Sequence, residues 1–168
     1  HGGRGVLLGG VPGVASANVV ILGGGVAGEN ALQMAIGARA RVTLFERSLD
    51  RIAVLDRTYG AHARIVYSTT AAVHETITEA DLVIGAVLIP GASAPRLISK
   101  ADLKEMQPGA VLVDVREPGE FAAGHAADAV HLPLGRIRAQ GAGALDAVSY
   151  RPLPLPTRRR EERSVVAG

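Results

Sequence analysis

The sequence contains no cysteine and no tryptophan, and aromatic residues make up only 3% of its 168 residues. Without cysteine, the chain cannot form disulfide bonds, use a catalytic thiolate or build a metal site on sulfur. The same absence favours a cytoplasmic protein. No apolar run reaches the roughly 18 residues that a membrane-spanning helix requires. The first residue is not methionine, so we expect the sequence to be a fragment of a longer chain.

Positive charge is concentrated near the C-terminal end rather than spread over the chain. The sequence pI is about 9.4, but residues 151–168 hold five arginines against two glutamates, whereas the whole chain carries only +2. Small residues dominate after Gly135, and the last part is rich in proline and arginine. Such a segment buries too little surface to offset the entropy lost on ordering. We therefore predict a disordered tail over 136–168 and no nucleic-acid partner.

Apolar runs alternate with helix-like patterns through most of the sequence. Continuous runs of valine, isoleucine and leucine predict strands, buried on both faces, near 18–23, 41–46, 63–68, 81–87 and 110–115. Helices are predicted near 26–37, 49–59, 70–79 and 95–107. This alternation predicts an α/β fold, namely a single Rossmann-type domain with a doubly wound parallel sheet. We expect the strand order 3-2-1-4-5, with one possible extra strand.

The segment between the first two strands has the pattern of a dinucleotide site. Gly23, Gly25 and Gly28 follow a strand and open a helix, and the acid Glu46 ends the next strand, 18 residues after Gly28. We expect Gly23 to permit a tight turn, Gly25 to let the backbone approach a pyrophosphate and Gly28 to allow close helix packing. Glu46 is expected to accept hydrogen bonds from the adenine ribose hydroxyls. The predicted cofactor is NAD.

Four ordered segments resemble the cofactor domain of the alanine dehydrogenase family, which shares this domain with the transhydrogenase alpha subunit. They are residues 2–13 (GGRGVLLGGVPG), 21–28 (ILGGGVAG), 80–92 (ADLVIGAVLIPGA) and 106–114 (MQPGAVLVD). The resemblance covers residues 2–115 and implies an NAD-binding domain over 18–115, after a glycine-rich lead-in over 1–17. Members of that family oxidise L-alanine to pyruvate and ammonia and pass a hydride to NAD.

Carried over position by position, the resemblance implies a set of cofactor contacts. These are Gly23, Gly25, Val26, Ala27 and Gly28 at the pyrophosphate, Glu46, Arg51 and Ser68 at the adenosine half, and Val87 and Leu88 at the crevice. For Arg51 and Ser68 the alternatives are a surface helix charge and a strand-end cap. Arg47 raises the alternative of NADP, although the neighbouring Glu46 carboxylate would repel a 2′-phosphate.

The sequence departs from the family at the position where the family carries a catalytic aspartate. The strand ending at Asp114 is followed by Val-Arg-Glu, and Pro118 stands where the resemblance places that aspartate. The family's substrate-binding residues and catalytic histidine lie on another domain. We therefore predict no catalytic residue in this chain and little or no alanine dehydrogenase activity from it alone. A separate substrate domain and further copies of the chain are the expected partners, with no membrane partner.

Residues 111–125 (VLVDVREPGEFAAGH) and 129–134 (AVHLPL) resemble the opening of a rhodanese-like domain, and we assign 116–135 to this fragment. A rhodanese sulfurtransferase needs a cysteine thiolate, so sulfur transfer is excluded. Both resemblances include the strand before Val115, and we hypothesise a fusion through it. The alternative to an oxidoreductase is thus a non-catalytic nucleotide-binding or interaction module with a degenerate rhodanese-like extension.

Two further polar features of this fragment are open to interpretation. Asp114 ends a strand, so it either faces the cofactor crevice or caps the turn that follows. His125 and His131 are six residues apart and lack further ligands at suitable spacing. We predict no metal site.

Overall fold

A computed structural model of the protein describes residues 5–87, 98–126 and 129–140. Strands and helices alternate along these residues. The strands are β1 (Asn18–Leu22), β2 (Arg41–Glu46), β3 (Ala63–Tyr67), β4 (Leu82–Gly85), β5 (Val111–Asp114) and β6 (Val130–His131). The helices are α1 (Val26–Gly37), α2 (Leu49–Tyr59), α3 (Thr70–Ile77), α4 (Lys100–Glu105), α5 (Pro118–Ala123) and α6 (Leu134–Gln140).

The strands form one parallel sheet in the order β3-β2-β1-β4-β5-β6. The predicted doubly wound sheet, with order 3-2-1-4-5 and one extra strand, is confirmed. The order reverses between β1 and β4, which pair from Val19 with Leu82 to Leu22 with Gly85. In folds of this class, ligands bind at the carboxyl ends of the strands where the order reverses. The end of β1 therefore lies at the predicted crevice.

Alternate residues of β1 enter two apolar clusters, one on each face of the sheet. Val19 and Ile21 pack in a cluster with Leu32 of α1 and Leu55 of α2. The other cluster includes Val20, Leu22, Phe45, Val73, Ile77, Val83, Leu103 and Leu112. Burial on both faces explains why the strands read as continuous apolar runs.

Side chains cap the helices that follow β2 and β3. The Ser48 hydroxyl accepts the N–H of Arg51 at 3.3 Å, and the Thr69 hydroxyl accepts the N–H of Ala72 at 3.1 Å. Such caps satisfy N–H groups that have no partner within the helix. Helix α1 differs, because the residue at its N-cap is Gly25 and no side chain in the described part of the chain caps it.

Several predicted boundaries differ from the structure. β4 spans Leu82–Gly85 rather than 81–87, because its pairing with β5 ends where Gly85 meets Asp114. α3 ends at Ile77, before the predicted 79. α4 begins at Lys100, and the predicted helical residues 95–97 lie outside the described residues.

The prediction that disorder begins at residue 136 is wrong for residues 136–140, which belong to α6. The N–H of Leu134 donates to the Val115 carbonyl at 3.0 Å, and the Arg136 guanidinium donates to the Gln140 side chain at 3.2 Å. The rest of the predicted tail, 141–168, lies outside the described residues. Within the described ranges, no helix is long and apolar enough to cross a membrane.

Candidate dinucleotide site

The chain leaves β1 through a turn that requires glycine at residue 23. Gly23 has φ +98°, a left-handed conformation that side chains disfavour. A Cβ added there would lie 2.8 Å from the Ala86 carbonyl oxygen and 3.0 Å from the Val87 α-carbon. The turn thus lies directly against the residues that follow β4. Val87 is therefore beside the turn, and its predicted contact with the cofactor stays a prediction, whereas Leu88 lies outside the described residues.

Gly28 brings α1 into close contact with the end of β1. A Cβ added at Gly28 would overlap the carbonyl oxygen of Gly23, and Gly28 itself is buried. This is the close helix–strand packing that the sequence pattern predicts for the third glycine.

Gly25 stands at the open start of α1. A Cβ added there would meet no atom within 4 Å among the described residues, and Val26 beside it is 69% exposed. The first intrahelical bond runs from the N–H of Glu29 to the Gly25 carbonyl at 2.9 Å. The N–H groups of Val26, Ala27 and Gly28 belong to the first turn, where backbone donors have no partner within the helix. Together with the helix dipole, they form an environment suited to an anion.

The carboxylate of Glu46 is held by backbone N–H groups. Oε2 accepts the N–H of Gly24 at 2.7 Å, and Oε1 accepts those of Arg47 at 2.7 Å and Ser48 at 2.9 Å. Burial alone would raise the pKa of Glu46, but these hydrogen bonds outweigh it and hold the pKa below its usual value. Glu46 is therefore ionised at neutral pH, at the end of β2 and beside the glycine turn.

Arg51 contacts the glycine turn and is not a free surface charge. Its Nε donates to the Gly24 carbonyl at 2.7 Å, and its Nη2 pairs with Oε2 of Glu29 at 2.5 Å. The charge of Arg51 also makes a small contribution to the lowered pKa of Glu46, after the larger effects of burial and of the backbone hydrogen bonds. Helix α2 thereby fixes a cation between two carboxylates.

Glu29, Tyr59 and Gln33 complete this arrangement, and sequence reasoning missed all three. The Tyr59 hydroxyl donates to Oε1 of Glu29 at 3.0 Å, and the Gln33 amide donates to the Tyr59 oxygen at 2.6 Å. The hydrogen bond with Arg51, followed by that with Tyr59, lowers the pKa of Glu29. The sequence offered one signal for this arrangement, namely an acid in the first turn of α1. The helix dipole alone explains an acid at that position, so the signal did not indicate a contact with α2.

Ser68 follows β3, and its hydroxyl oxygen is buried without a hydrogen-bond partner among the described residues. Its backbone N–H donates to the Glu46 carbonyl at 2.8 Å, so Ser68 lies beside the end of β2. The alternative role of strand-end cap does not apply to its side chain, because Thr69 caps α3 instead. A buried hydroxyl without a partner fits a position that a ligand completes.

Asp114, at the end of β5, caps the turn that follows. Its carboxylate accepts the N–H of Arg116 at 3.0 Å and pairs with the Arg116 guanidinium at 2.6 Å. Both side chains are buried, at 8% and 9% exposure. The hydrogen bond to Asp114 comes first among the causes that raise the pKa of Arg116. Of the two interpretations of Asp114, the structure therefore shows the cap.

The segment after Arg116 packs around one aromatic ring. Phe121 stacks between His125 and His131, with ring centroids 3.7 and 4.0 Å apart. The backbone of His131 belongs to β6, which pairs with β5. In the part of the chain that the structure describes, no group of histidine, aspartate and glutamate side chains is arranged to hold a metal ion.

These features define a Rossmann-type α/β domain with its glycine turn at the reversal of strand order. Comparison with known families then identifies it further. Residues 1–122 match the family model described as "Alanine dehydrogenase/PNT, C-terminal domain". The chain therefore belongs to the alanine dehydrogenase/PNT C-terminal domain family. This confirms the resemblance read from the four sequence segments.

Individual relatives agree with this assignment. The alanine dehydrogenase of Halomonas elongata is 54% identical over 115 residues, which are 68% of this chain and 31% of the relative. That of Mycolicibacterium smegmatis is 49% identical over the same shares of the two chains. The chain thus spans about a third of the length of these relatives.

Solved structures give the same result. An L-alanine dehydrogenase superposes with a TM-score of 0.66 at 48% identity, covering 68% of this chain and 32% of that chain. The transhydrogenase from Sinorhizobium meliloti gives a TM-score of 0.56 at 30% identity, covering 68% of this chain and 33% of that chain.

A second family model also matches. Residues 99–163 match the rhodanese-like domain, so the two matches overlap at 99–122. The rhodanese-like resemblance is confirmed, although the match extends beyond the predicted fragment of 116–135 in both directions. The overlap of the two matches includes the whole of β5.

Proposed function

We propose that the chain binds NAD(H) at the turn between β1 and α1, as the cofactor half of an alanine-dehydrogenase-like oxidoreductase. The observation that carries this proposal is the uncapped start of α1 beside an ionised Glu46. An anion-binding helix start next to a ribose-binding acid is the arrangement that a dinucleotide requires. The family match and the names of the relatives support the same cofactor.

The residues present fit this cofactor. The space at Gly25 leaves room for a pyrophosphate, which the N–H groups of Val26 and Ala27 would bind. Glu46 would accept the ribose hydroxyls of the adenosine half. Beside the same strand end, Ser68 offers a buried hydroxyl that has no hydrogen-bond partner among the described residues. Bound NAD would supply the hydride acceptor for the oxidation of an amino acid.

We further propose that this chain does not oxidise L-alanine by itself. Hydride transfer requires cofactor and substrate held in reactive geometry, and the chain spans about a third of its alanine dehydrogenase relatives. The acid that ends β5, Asp114, is engaged by Arg116, and Pro118 opens α5 where the family resemblance implies a catalytic aspartate. A substrate domain or further copies of the chain would complete the enzyme. We also propose a cytoplasmic location, which the absence of cysteine fits.

A non-catalytic nucleotide-binding or interaction module remains the second candidate. The observation that favours it is the segment after β5, which forms α5 and β6 and matches the rhodanese-like model. Without cysteine, this segment has no thiolate with which to transfer sulfur. Only the first candidate predicts that Glu46→Ala selectively weakens NADH binding and that a substrate domain restores oxidation of an amino acid.

The test is a fluorescence titration of the full chain with NADH, using two glycine variants of α1. Gly25→Val places a side chain where the pyrophosphate would lie. Gly37→Val is the control at the other end of the helix, where the added Cβ would meet no atom within 4 Å among the described residues. We expect NADH binding to the original chain and to Gly37→Val, and a loss of at least about tenfold in Gly25→Val. Binding that is absent, or equal in the two variants, would refute the proposed site.

The same preparations test the proposed inactivity. L-alanine and NAD at high protein concentration should give no NADH above the Gly25→Val background. Alanine-dependent NADH formation that Gly25→Val abolishes would show that the chain is active alone. Restoration of turnover by an added substrate domain would favour the oxidoreductase over the non-catalytic module.

A further inference from the structure

Two carboxylates flank Arg51 beside the glycine turn. Glu46 lies at the end of β2 and Glu29 in the first turn of α1. The Arg51 guanidinium donates through Nε to the Gly24 carbonyl at 2.7 Å and through Nη2 to Glu29 at 2.5 Å. Two of its donor nitrogens are therefore occupied by partners within the chain.

Glu29 is itself held from a second side. Tyr59 donates to Oε1 of Glu29 at 3.0 Å, and Gln33 donates to the Tyr59 oxygen at 2.6 Å. The chain of hydrogen bonds runs from α1 to the end of α2 and back to α1. Because the Glu29 side chain is only 29% exposed and bonded through both oxygens, it holds Arg51 in one position.

The position of this cation bears on the choice between NAD and NADP. In Rossmann-type domains, an acid at the end of the second strand accepts the ribose hydroxyls, and a nearby arginine accommodates the 2′-phosphate of NADP. An arginine recognises a phosphate best when its N–H groups can form a fork of parallel hydrogen bonds. In Arg51, Nε is bonded to the Gly24 carbonyl and Nη2 to Glu29, so the fork that these two nitrogens form is already engaged and the guanidinium is held in one orientation.

We propose that Glu29 is a positioning residue for nucleotide selectivity, which withholds Arg51 from a 2′-phosphate and so favours NAD(H) over NADP(H). The inference rests on the proposed NAD(H) site and adds to it a second determinant besides Glu46. Selectivity then depends on a pair of carboxylates on α1 and β2, rather than on the single acid that the sequence pattern indicates.

Charge gives the direction of the expected effects. Ionised Glu29 and Glu46, together with Arg51, carry one net negative charge, and the extra phosphate of NADPH adds roughly 1.5 to 2 negative charges. Replacing Glu29 by glutamine breaks the ion pair with Nη2, so that the charge of Arg51 becomes available to a 2′-phosphate. The loss of repulsion from Glu29 itself, which is partly exposed and screened, should contribute only about twofold or less. NADPH should then bind more tightly, whereas NADH, which has a hydroxyl in place of that phosphate, should change little.

The experiment measures dissociation constants of NADH and NADPH for the full chain by nicotinamide fluorescence at low salt. The variants are Glu29→Gln, Arg51→Gln and the double variant, with Glu75→Gln as control because it removes an equal charge from an exposed position on α3. We expect Glu29→Gln to strengthen NADPH binding about fivefold, with a change in NADH binding of about twofold or less. Glu75→Gln should alter neither.

The double variant tests whether the effect acts through Arg51. In the Arg51→Gln background, replacing Glu29 should change NADPH binding by about twofold or less. A gain that persists there would assign the effect to lost repulsion or to the neighbouring Arg47 and overturn the proposal. Equal changes in NADH and NADPH would overturn it as well, because they indicate a structural role. If the original chain binds neither nucleotide, the proposed function itself fails, and the inference fails with it.

Discussion

The carboxylate of Glu46 accepts the backbone N–H of Gly24 at 2.7 Å, so that the end of β2 is joined to the turn after β1. The bond fixes the acid beside the open start of α1, where the structure leaves room at Gly25. The distance between the proposed ribose-binding group and the proposed pyrophosphate-binding group is therefore fixed by the chain itself, which reduces the ordering that binding would require.

Replacing Glu46 by alanine should weaken NADH binding by about 10- to 100-fold, since hydrogen bonds to a charged group contribute about 1.5–3 kcal/mol. An NADH analogue without the adenosine 2′-hydroxyl serves as the matched probe. It should bind the original chain more weakly than NADH, but bind Glu46→Ala as well as NADH does. If the original chain and Glu46→Ala preferred NADH over the analogue by the same factor, Glu46 would act only by holding the turn.

Glu46 should also contribute to stability in a pH-dependent way. Its pKa in the folded chain lies below the usual 4.5, so its stabilising effect is complete above about pH 4.5 and is lost as the pH falls through the folded-state value. The difference in free energy of unfolding between the original chain and Glu46→Gln should therefore be constant near neutrality and shrink in acid. Urea unfolding at a series of pH values measures this. A difference that grows in acid would contradict the assigned ionisation.

Gly28→Ala should destabilise the fold by about 1–3 kcal/mol, because the added Cβ would overlap the Gly23 carbonyl and force the backbone apart. Gly37→Ala is the control on the same helix, where the Cβ would meet no atom within 4 Å among the described residues. It should be neutral or stabilising by up to about 1 kcal/mol. Thermal unfolding of the two variants compares them directly, and equal melting temperatures would refute the close contact.

The buried pair of Asp114 and Arg116 should be costly to break from one side. Asp114→Ala leaves a buried guanidinium without its carboxylate, for which we expect a loss of about 3 kcal/mol in the free energy of unfolding. Asp114→Ala combined with Arg116→Met should lose less than Asp114→Ala alone. Arg138→Met, at an exposed position of α6, should change stability by no more than about 0.5 kcal/mol. The measurement is urea unfolding. If all three variants had the same free energy of unfolding, Asp114 and Arg116 would behave as a surface pair and the prediction would be wrong.

The fold and the glycine turn could be predicted from the sequence because their signals are local. Apolar runs mark the strands, and the spacing of Gly23, Gly25 and Gly28 is set by one strand, one turn and one helix. The structure has Gly23 in a tight turn, Gly25 at the N-cap of α1 and Gly28 in close contact with the end of β1. Glu46 was predictable for a similar reason, since it ends the strand that follows directly.

The surroundings of Arg51 could not be predicted in the same way. Glu29 and Arg51 are 22 residues apart, and Tyr59 and Glu29 are 30 apart, so that their contacts depend on how α1 and α2 pack. A periodic pattern gives the face of each helix but not the partner of each side chain. The role of Asp114 could not be predicted for another reason. An acid at the end of a strand suits a crevice and a turn equally well, and only the position of Arg116 decides between them.

β6 joins the sheet through two pairings with β5, Val113 with Val130 and Asp114 with His131. Parallel strands pair through main-chain N–H and C=O groups, and this pairing does not depend on which side chains the strands carry. Two domains that share one strand pattern, as the hypothesised fusion requires, could thus be spliced within a β-ladder, without a linker and without a change in the strand pairing. Searches for gene fusions that look for junctions only in loops would overlook a splice of this kind.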